Sequence, residues 1–100
     1  MTSTANGYVS VRIPSQLLNR TGQRKVIPVS AETVRDVIEA LEREYPGLRF
    51  NICNETGELR SFVNIFVGTE DVRYLQGLAT TVGPDDKVTL LPAMAGGSQE

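Results

Sequence analysis

Apolar and polar residues alternate strictly along Tyr8-Val-Ser-Val-Arg-Ile13, which places Val9, Val11 and Ile13 on one face. Period two is the mark of a half-buried strand. Pro14 ends it, and a Thr-Gly pair inside 19–24 signals a turn. Lys25-Val-Ile-Pro-Val29 reads as the returning strand of a hairpin. Pro28 has no amide to give a ladder, so this strand belongs at a sheet edge or ends there. The period then changes. Val34, Val37, Ile38, Leu41 and Tyr45 recur at helical spacing and form one apolar stripe. Thr33 is the expected N-cap, with Asp36 three residues on completing a capping box. Arg35, Glu39, Glu42 and Arg43 take the solvated faces, and Pro46-Gly47 stops the helix.

Residues 48–60 show no clean period, and Asn54 and Gly57 mark a turn within them. Phe62-Val-Asn-Ile-Phe-Val67 is almost continuously apolar, the pattern of a central strand. Gly68 closes it, and 70–73 is polar and turn-like. Leu75, Leu78 and Val82 are placed to cap the core from a short helical segment. Gly83-Pro84-Asp85-Asp86 is a turn leading through Lys87 into a last apolar strand, Val88 to Leu91. Pro92 ends that strand, since it cannot continue a ladder. The expected organisation is a disordered N-terminus over 1–7, one domain over 8–91 and a flexible tail over 92–100. The fold class is α+β. A hairpin, one crossover helix and further strands completing a mixed sheet, with the helix packed on one face, make a β-grasp architecture. Fold alone does not give function.

Composition narrows the chemistry. One hundred residues suffice for a single core without staples. The net charge is −2 with no long basic run, which argues against nucleic acid or an anionic membrane as the partner. No apolar run reaches membrane-spanning length and no signal-peptide layout opens the chain, so a cytoplasmic location is expected. The lone Cys53 forms no internal disulfide, in keeping with a reducing compartment. One cysteine and no histidine exclude the usual zinc constellations and a Cys–His nucleophile pair. Cys53 itself reads as a small semi-buried residue, because no base can be assigned to it.

The tail holds the remaining signal: Pro92, Ala93, Met94, Ala95, Gly96 and Gly97, then Ser98-Gln99-Glu100. Its residues cannot build a core, and fully extended the six from Pro92 to Gly97 reach roughly 20 Å. It is either a frayed terminus or a probe for a narrow active-site channel, where glycine fits and side chains clash.

The stretches Thr33 to Tyr45, Phe62-Val-Asn-Ile-Phe-Val67, Glu70-Asp71-Val72-Arg73, Gly77-Leu78-Ala79-Thr80 and Val88 to Gly97 together resemble the ThiS/MoaD family of sulfur carrier proteins. The likeness spans almost all of 8–97 and implies a ubiquitin-like β-grasp. It further implies a carrier that is not an enzyme. A ThiF/MoeB-like activating enzyme would join the Gly97 carboxylate to AMP, using ATP and magnesium. A sulfur donor would then leave a thiocarboxylate at Gly97. Gly96 would let the backbone fit the channel. The chain itself would hold no cofactor and no metal. The accepting partner implied is a cysteine-synthase-like or thiazole-synthase-like enzyme, with molybdopterin or a sulfur-containing natural product as further destinations. Activating enzymes of such carriers would dock on the exposed sheet beside the C-terminus, with Arg60, Arg73 and Lys87 as candidate contacts.

One feature departs from that family pattern. Its carriers usually end at Gly-Gly, whereas three residues follow Gly97 here. An amide-bonded Gly97 has no free carboxylate to adenylate. A precursor cut between Gly97 and Ser98 accounts for this, and the family likeness implies a zinc metalloprotease, whose metal-bound water would cleave that peptide. A remnant of cloning is the other source of such an extension. The alternative functions are a ubiquitin-like modifier, if a lysine amine attacks the activated Gly97, and an interaction module with an inert tail.

Overall fold

Two periodicities build the two layers. A computed structural model describes residues 8–92. Residues 1–7 and 93–100, and with them the expectations of a disordered N-terminus and a flexible tail beyond Pro92, lie outside the described residues. Strands β1 (Val9–Arg12) and β2 (Val26–Val29) form the hairpin. Helix α1 (Val34–Glu44) follows, then β3 (Val63–Val67), the two-residue β4 (Glu70–Asp71) and β5 (Lys87–Pro92). The sheet order is β2-β1-β5-β3-β4. β1 lies antiparallel to β2 and parallel to β5, and β3 is antiparallel to both β5 and β4. The sheet is therefore mixed, with the last strand at its centre. β2, carrying Pro28, stands at one edge, where a missing amide costs no ladder bond.

The helix begins where its chemistry dictates. Thr33 Oγ1 accepts from the Asp36 amide at 3.2 Å, and the Asp36 carboxylate accepts from the Glu32 amide at 3.3 Å. The reciprocal contact thus reaches one residue further back than a strict capping box. Val34, Val37, Ile38 and Leu41 are buried, and Tyr45 packs half-buried against them. They join Val9, Val11, Ile27, Val29, Val63, Ile65, Val88 and Leu90 in one core between helix and sheet. Gly47 then adopts φ 97°, a left-handed conformation open to glycine, and turns the chain off the helix.

The central-strand expectation for β3 holds, and two others, for Leu75 and Pro92, are corrected. The near-continuous apolar run of β3 does not mean burial on both faces. β3 has strands on both sides; Val63 and Ile65 are buried in the core and Val67 packs partly buried against it, while Phe62, just before the strand, stays 48% exposed. Among the described residues no element covers the other face of the sheet, so Phe62, Val26 and Leu91 remain half open. Leu75 is also exposed, and only Leu78 and Val82 cap the core. The segment there is two 3-10 turns, Val72–Tyr74 and Gly77–Ala79, too short to sustain a stripe. Finally, Pro92 is the last residue of β5, opposite Val63, so it belongs to the sheet and not to the tail.

Candidate functional site

β5 is the element that positions the C-terminus. Its core-facing residues, Val88 and Leu90, are buried, and Lys87 and Leu91 on the other face are exposed. β1 accompanies it only as far as Thr89, opposite Arg12. Leu91 and Pro92 continue past β1, held by β3 alone through Asn64 and Val63. At the end of the described residues β5 is thus supported on one flank only, and Pro92 has no amide to give a ladder. Ala93, Met94, Ala95, Gly96, Gly97 and Ser98, the proposed inserting residues and processing junction, lie outside the described residues. The structure shows their root only.

A network of fixed guanidinium groups borders that root. Arg73 donates to Asn64 Oδ1 and to the Arg60 carbonyl, each at 2.8 Å. Its own amide is received by Asp71 Oδ1 at 2.9 Å. Arg60 donates through Nε to the Phe50 carbonyl at 2.7 Å and lies 5.9 Å from the Phe62 ring centre. Asn64 pairs with Leu91, so Arg73 stands one strand away from the end of β5. Lys87 does not join them. It starts β5, five residues before Pro92 and hence ~17 Å along the strand. Of the three cations named from the sequence, two therefore gather near the exit and one sits at the far end of the same face. The sequence carries no sign of this; only the register reveals it.

Among the described residues two ionisable groups are displaced from their ordinary behaviour. Burial pushes the Cys53 thiol up, with the nearby Arg35 pulling weakly the other way. Cys53 is 2% exposed and bridges to Leu59, more deeply set than a semi-buried residue. A neutral, enclosed thiol is a poor nucleophile. The Glu42 carboxyl is held below its ordinary value by the amides of Gly47 and then Arg49, which it accepts at 3.1 and 2.9 Å. That carboxylate ties the end of α1 to the 3-10 turn Leu48–Asn51. Among the described residues no group of three His, Cys, Asp or Glu side chains is placed to hold a metal, and no helix is long and apolar enough to cross a membrane.

The family model of the ThiS family matches residues 11–97. The chain belongs to the ThiS family. The match ends on Gly97 and leaves out Ser98-Gln99-Glu100. This ThiS-family chain is 44% identical over 91 residues to the sulfur carrier protein CysO of Mycobacterium tuberculosis, covering 89% of the chain and 98% of the relative. The crystal structure of that CysO superposes with a TM-score of 0.81 over 86% of this chain and 99% of the other. A chain of the Amycolatopsis orientalis BexX/CysO complex superposes with a TM-score of 0.83 at 37% identity, over 89% and 99%. The small archaeal modifier protein 3 of Haloferax volcanii is 40% identical over 65 residues, 65% of this chain and 70% of its own. The fold is thus the ubiquitin-like β-grasp of the CysO-like sulfur carriers.

Proposed function

We propose that this protein carries sulfur as a thiocarboxylate on Gly97, once Ser98-Gln99-Glu100 has been removed, and that it is a protein substrate and not an enzyme. The observation carrying this reading is that the family match ends on Gly97 and leaves out the three residues after it. The likeness to the ThiS family runs through the whole domain and stops at Gly97, and the described part of the central strand ends five residues before it, at Pro92. Five residues span up to ~17 Å, enough to bring Gly97 into a partner's channel while the body stays outside.

The chemistry needs activation because a carboxylate has no good leaving group. The Gly97 carboxylate attacks the α-phosphorus of ATP, expelling magnesium-bound pyrophosphate and forming an acyl adenylate. A sulfide-equivalent donor then attacks the carbonyl carbon, and AMP leaves with the bonding pair. The activating partner, of ThiF/MoeB type, supplies orientation, ATP and magnesium. This chain supplies a fixed root and a tail without bulk next to the reacting carbon. A cysteine-synthase-like acceptor follows from the likeness to CysO, and a thiazole-synthase-like acceptor is the other destination. A zinc metalloprotease cutting before Ser98 completes the sequence of partners.

The test is ATP–pyrophosphate exchange and mass spectrometry with the activating enzyme of the same organism. A chain ending at Gly97 should exchange and gain sulfur; the chain ending at Glu100 should do neither. Equal adenylation of both would overturn the precursor reading and move activation to Glu100. Likeness to the small archaeal modifier protein 3 favours a second reading, conjugation of Gly97 to lysines. Isopeptide-linked ladders on cellular proteins, absent when Gly97 is deleted, would establish it.

A further inference from the structure

Strand β2 forms one edge of the sheet, and among the described residues no strand lies on its other side. An open edge is a template for pairing with another chain. The opposite edge, β4, limits this hazard by having only two residues. β2 is longer and reads Val-Ile-Pro-Val, with Val26 53% exposed. We propose that Pro28 keeps this edge from pairing with the β2 of a second copy, and that the protein is a monomer because of it.

The ladder to β1 fixes which way each backbone group points. Residues opposite one another in an antiparallel pair alternate between exchanging hydrogen bonds and turning their backbone groups away. The Ile13 amide donates to the Lys25 carbonyl at 2.8 Å, so that pair is a bonded one. Continuing by twos, Val11 with Ile27 and Val9 with Val29 are bonded as well, and Arg12 with Val26 and Ser10 with Pro28 fall between them. The Ser10 amide agrees with this phase, since it donates the other way, to the Asp86 carbonyl at 3.1 Å. Val26 and Pro28 therefore aim their backbone groups at the free edge. The preceding residue in that phase, Arg24, is already engaged: its amide donates to the Thr21 carbonyl at 3.2 Å, and its carbonyl accepts from the Thr21 hydroxyl at 3.0 Å. The edge thus offers both backbone groups of Val26 but only the carbonyl of Pro28.

Two copies related by a two-fold axis would bring their β2 strands together antiparallel, each presenting the same residues. The richest register sets Val26 of each copy opposite Pro28 of the other. With an ordinary residue at 28, both of these pairs would exchange two hydrogen bonds. Pro28 leaves one in each, and its ring stands where the missing N–H would point. Centring the contact on Val26 sets the engaged Arg24 opposite Pro28. Centring it on Pro28 joins two residues that have no amide. The placement is selective: at 27 or 29 a proline would break a bond to β1, whereas at 28 it costs the fold no ladder bond and acts only against an incoming strand.

The test uses the full chain without ATP or sulfur, so its outcome is independent of the carrier reading. Sedimentation velocity is measured for the parent, Pro28→Val and Pro28→Thr over a concentration series, together with backbone amide exchange by NMR. The parent should sediment as one chain at every concentration, with the Val26 amide exchanging fast and the Ile27 amide slowly. Pro28→Val should move toward twice that mass as concentration rises, while the amides at positions 26 and 28 become protected in step. Adding Val26→Pro to Pro28→Val again removes one outward donor from each pair and should restore the single chain. Pro28→Thr, less apolar, gives the same reading should the valine variant precipitate. Folded Pro28→Val and Pro28→Thr that both stay single chains would overturn the proposal. So would a parent that dimerises, a Val26 amide already protected in the parent monomer, or a variant dimer whose new protection lies away from β2.

Discussion

Leu41→Ala tests the layer that holds β5 in place. Leu41 lies on the core-facing stripe of α1 and has no exposed surface. The change deletes three carbons. At about 0.8 kcal/mol per buried carbon group the transfer loss alone is ~2.4 kcal/mol. The void adds to this in proportion to how little the site collapses, and buried leucine truncations cost about 2–5 kcal/mol in all. Leu41 belongs to the single core cluster between helix and sheet, and α1 is tied to the 3-10 turn Leu48–Asn51 through Glu42, so collapse is restricted. A loss of about 3 kcal/mol is expected. Urea unfolding followed by circular dichroism gives the measurement. With a slope of about 1–3 kcal/mol per molar, the midpoint should fall by about 1–3 M at unchanged slope. Arg43→Ala, on the exposed face of the same helix, should stay within about 0.5 kcal/mol of the parent. A Leu41→Ala loss as small as that of Arg43→Ala would refute the packing described.

Glu42 gives a pH-dependent companion. Its folded value is depressed below 4.5, so its contribution is present at neutral pH and is lost as the pH falls through that lowered value. Glu42→Gln should therefore melt below the parent at pH 7, with the gap closing under acid; a gap independent of pH would contradict this. Cys53 should react slowly with thiol reagents at pH 8 until the chain unfolds, and Cys53→Ser should still load sulfur at Gly97; loss of loading in a folded variant would make Cys53 part of the chemistry. Reversing Arg73 to Glu should slow activation more than Lys87→Glu, with a difference that shrinks in salt, since only Arg73 borders the tail root. Equal rates for both would remove that border from the interface.

The helix and the hairpin were legible because each had one unambiguous period and a marked end. Thr33 and Pro28 did what their chemistry predicts, and Asp36 accepts from Glu32, one residue further back than a capping box. The 3-10 turn Ser15–Arg20 was not legible: its buried Leu17 is a single contact without a repeat. The same holds for residues 48–60, where a left-handed Gly47 and a lone bridge between Cys53 and Leu59 replace regular structure. The apolar run at 62–67 marked a central strand, as observed, but not which of its faces is covered. Phe62 and Phe66 resemble core residues in the sequence but belong to an uncovered sheet face. Near the site, the sequence pointed to Pro92 and the glycines. It did not show that Arg60 and Arg73 meet beside Asn64 while Lys87 lies at the other end of β5. Those placements depend on strand register, which no local pattern carries.

The central claim is that sulfur resides on Gly97 of a shortened chain. Intact-mass analysis of the protein purified from its native cells, with fragmentation of the C-terminal peptide, measures this directly. The account predicts a chain ending at Gly97, part of it with one terminal oxygen replaced by sulfur, and alkylation confined to that terminus and Cys53. A cellular protein ending only at Glu100, with no sulfur at its terminus, would contradict it.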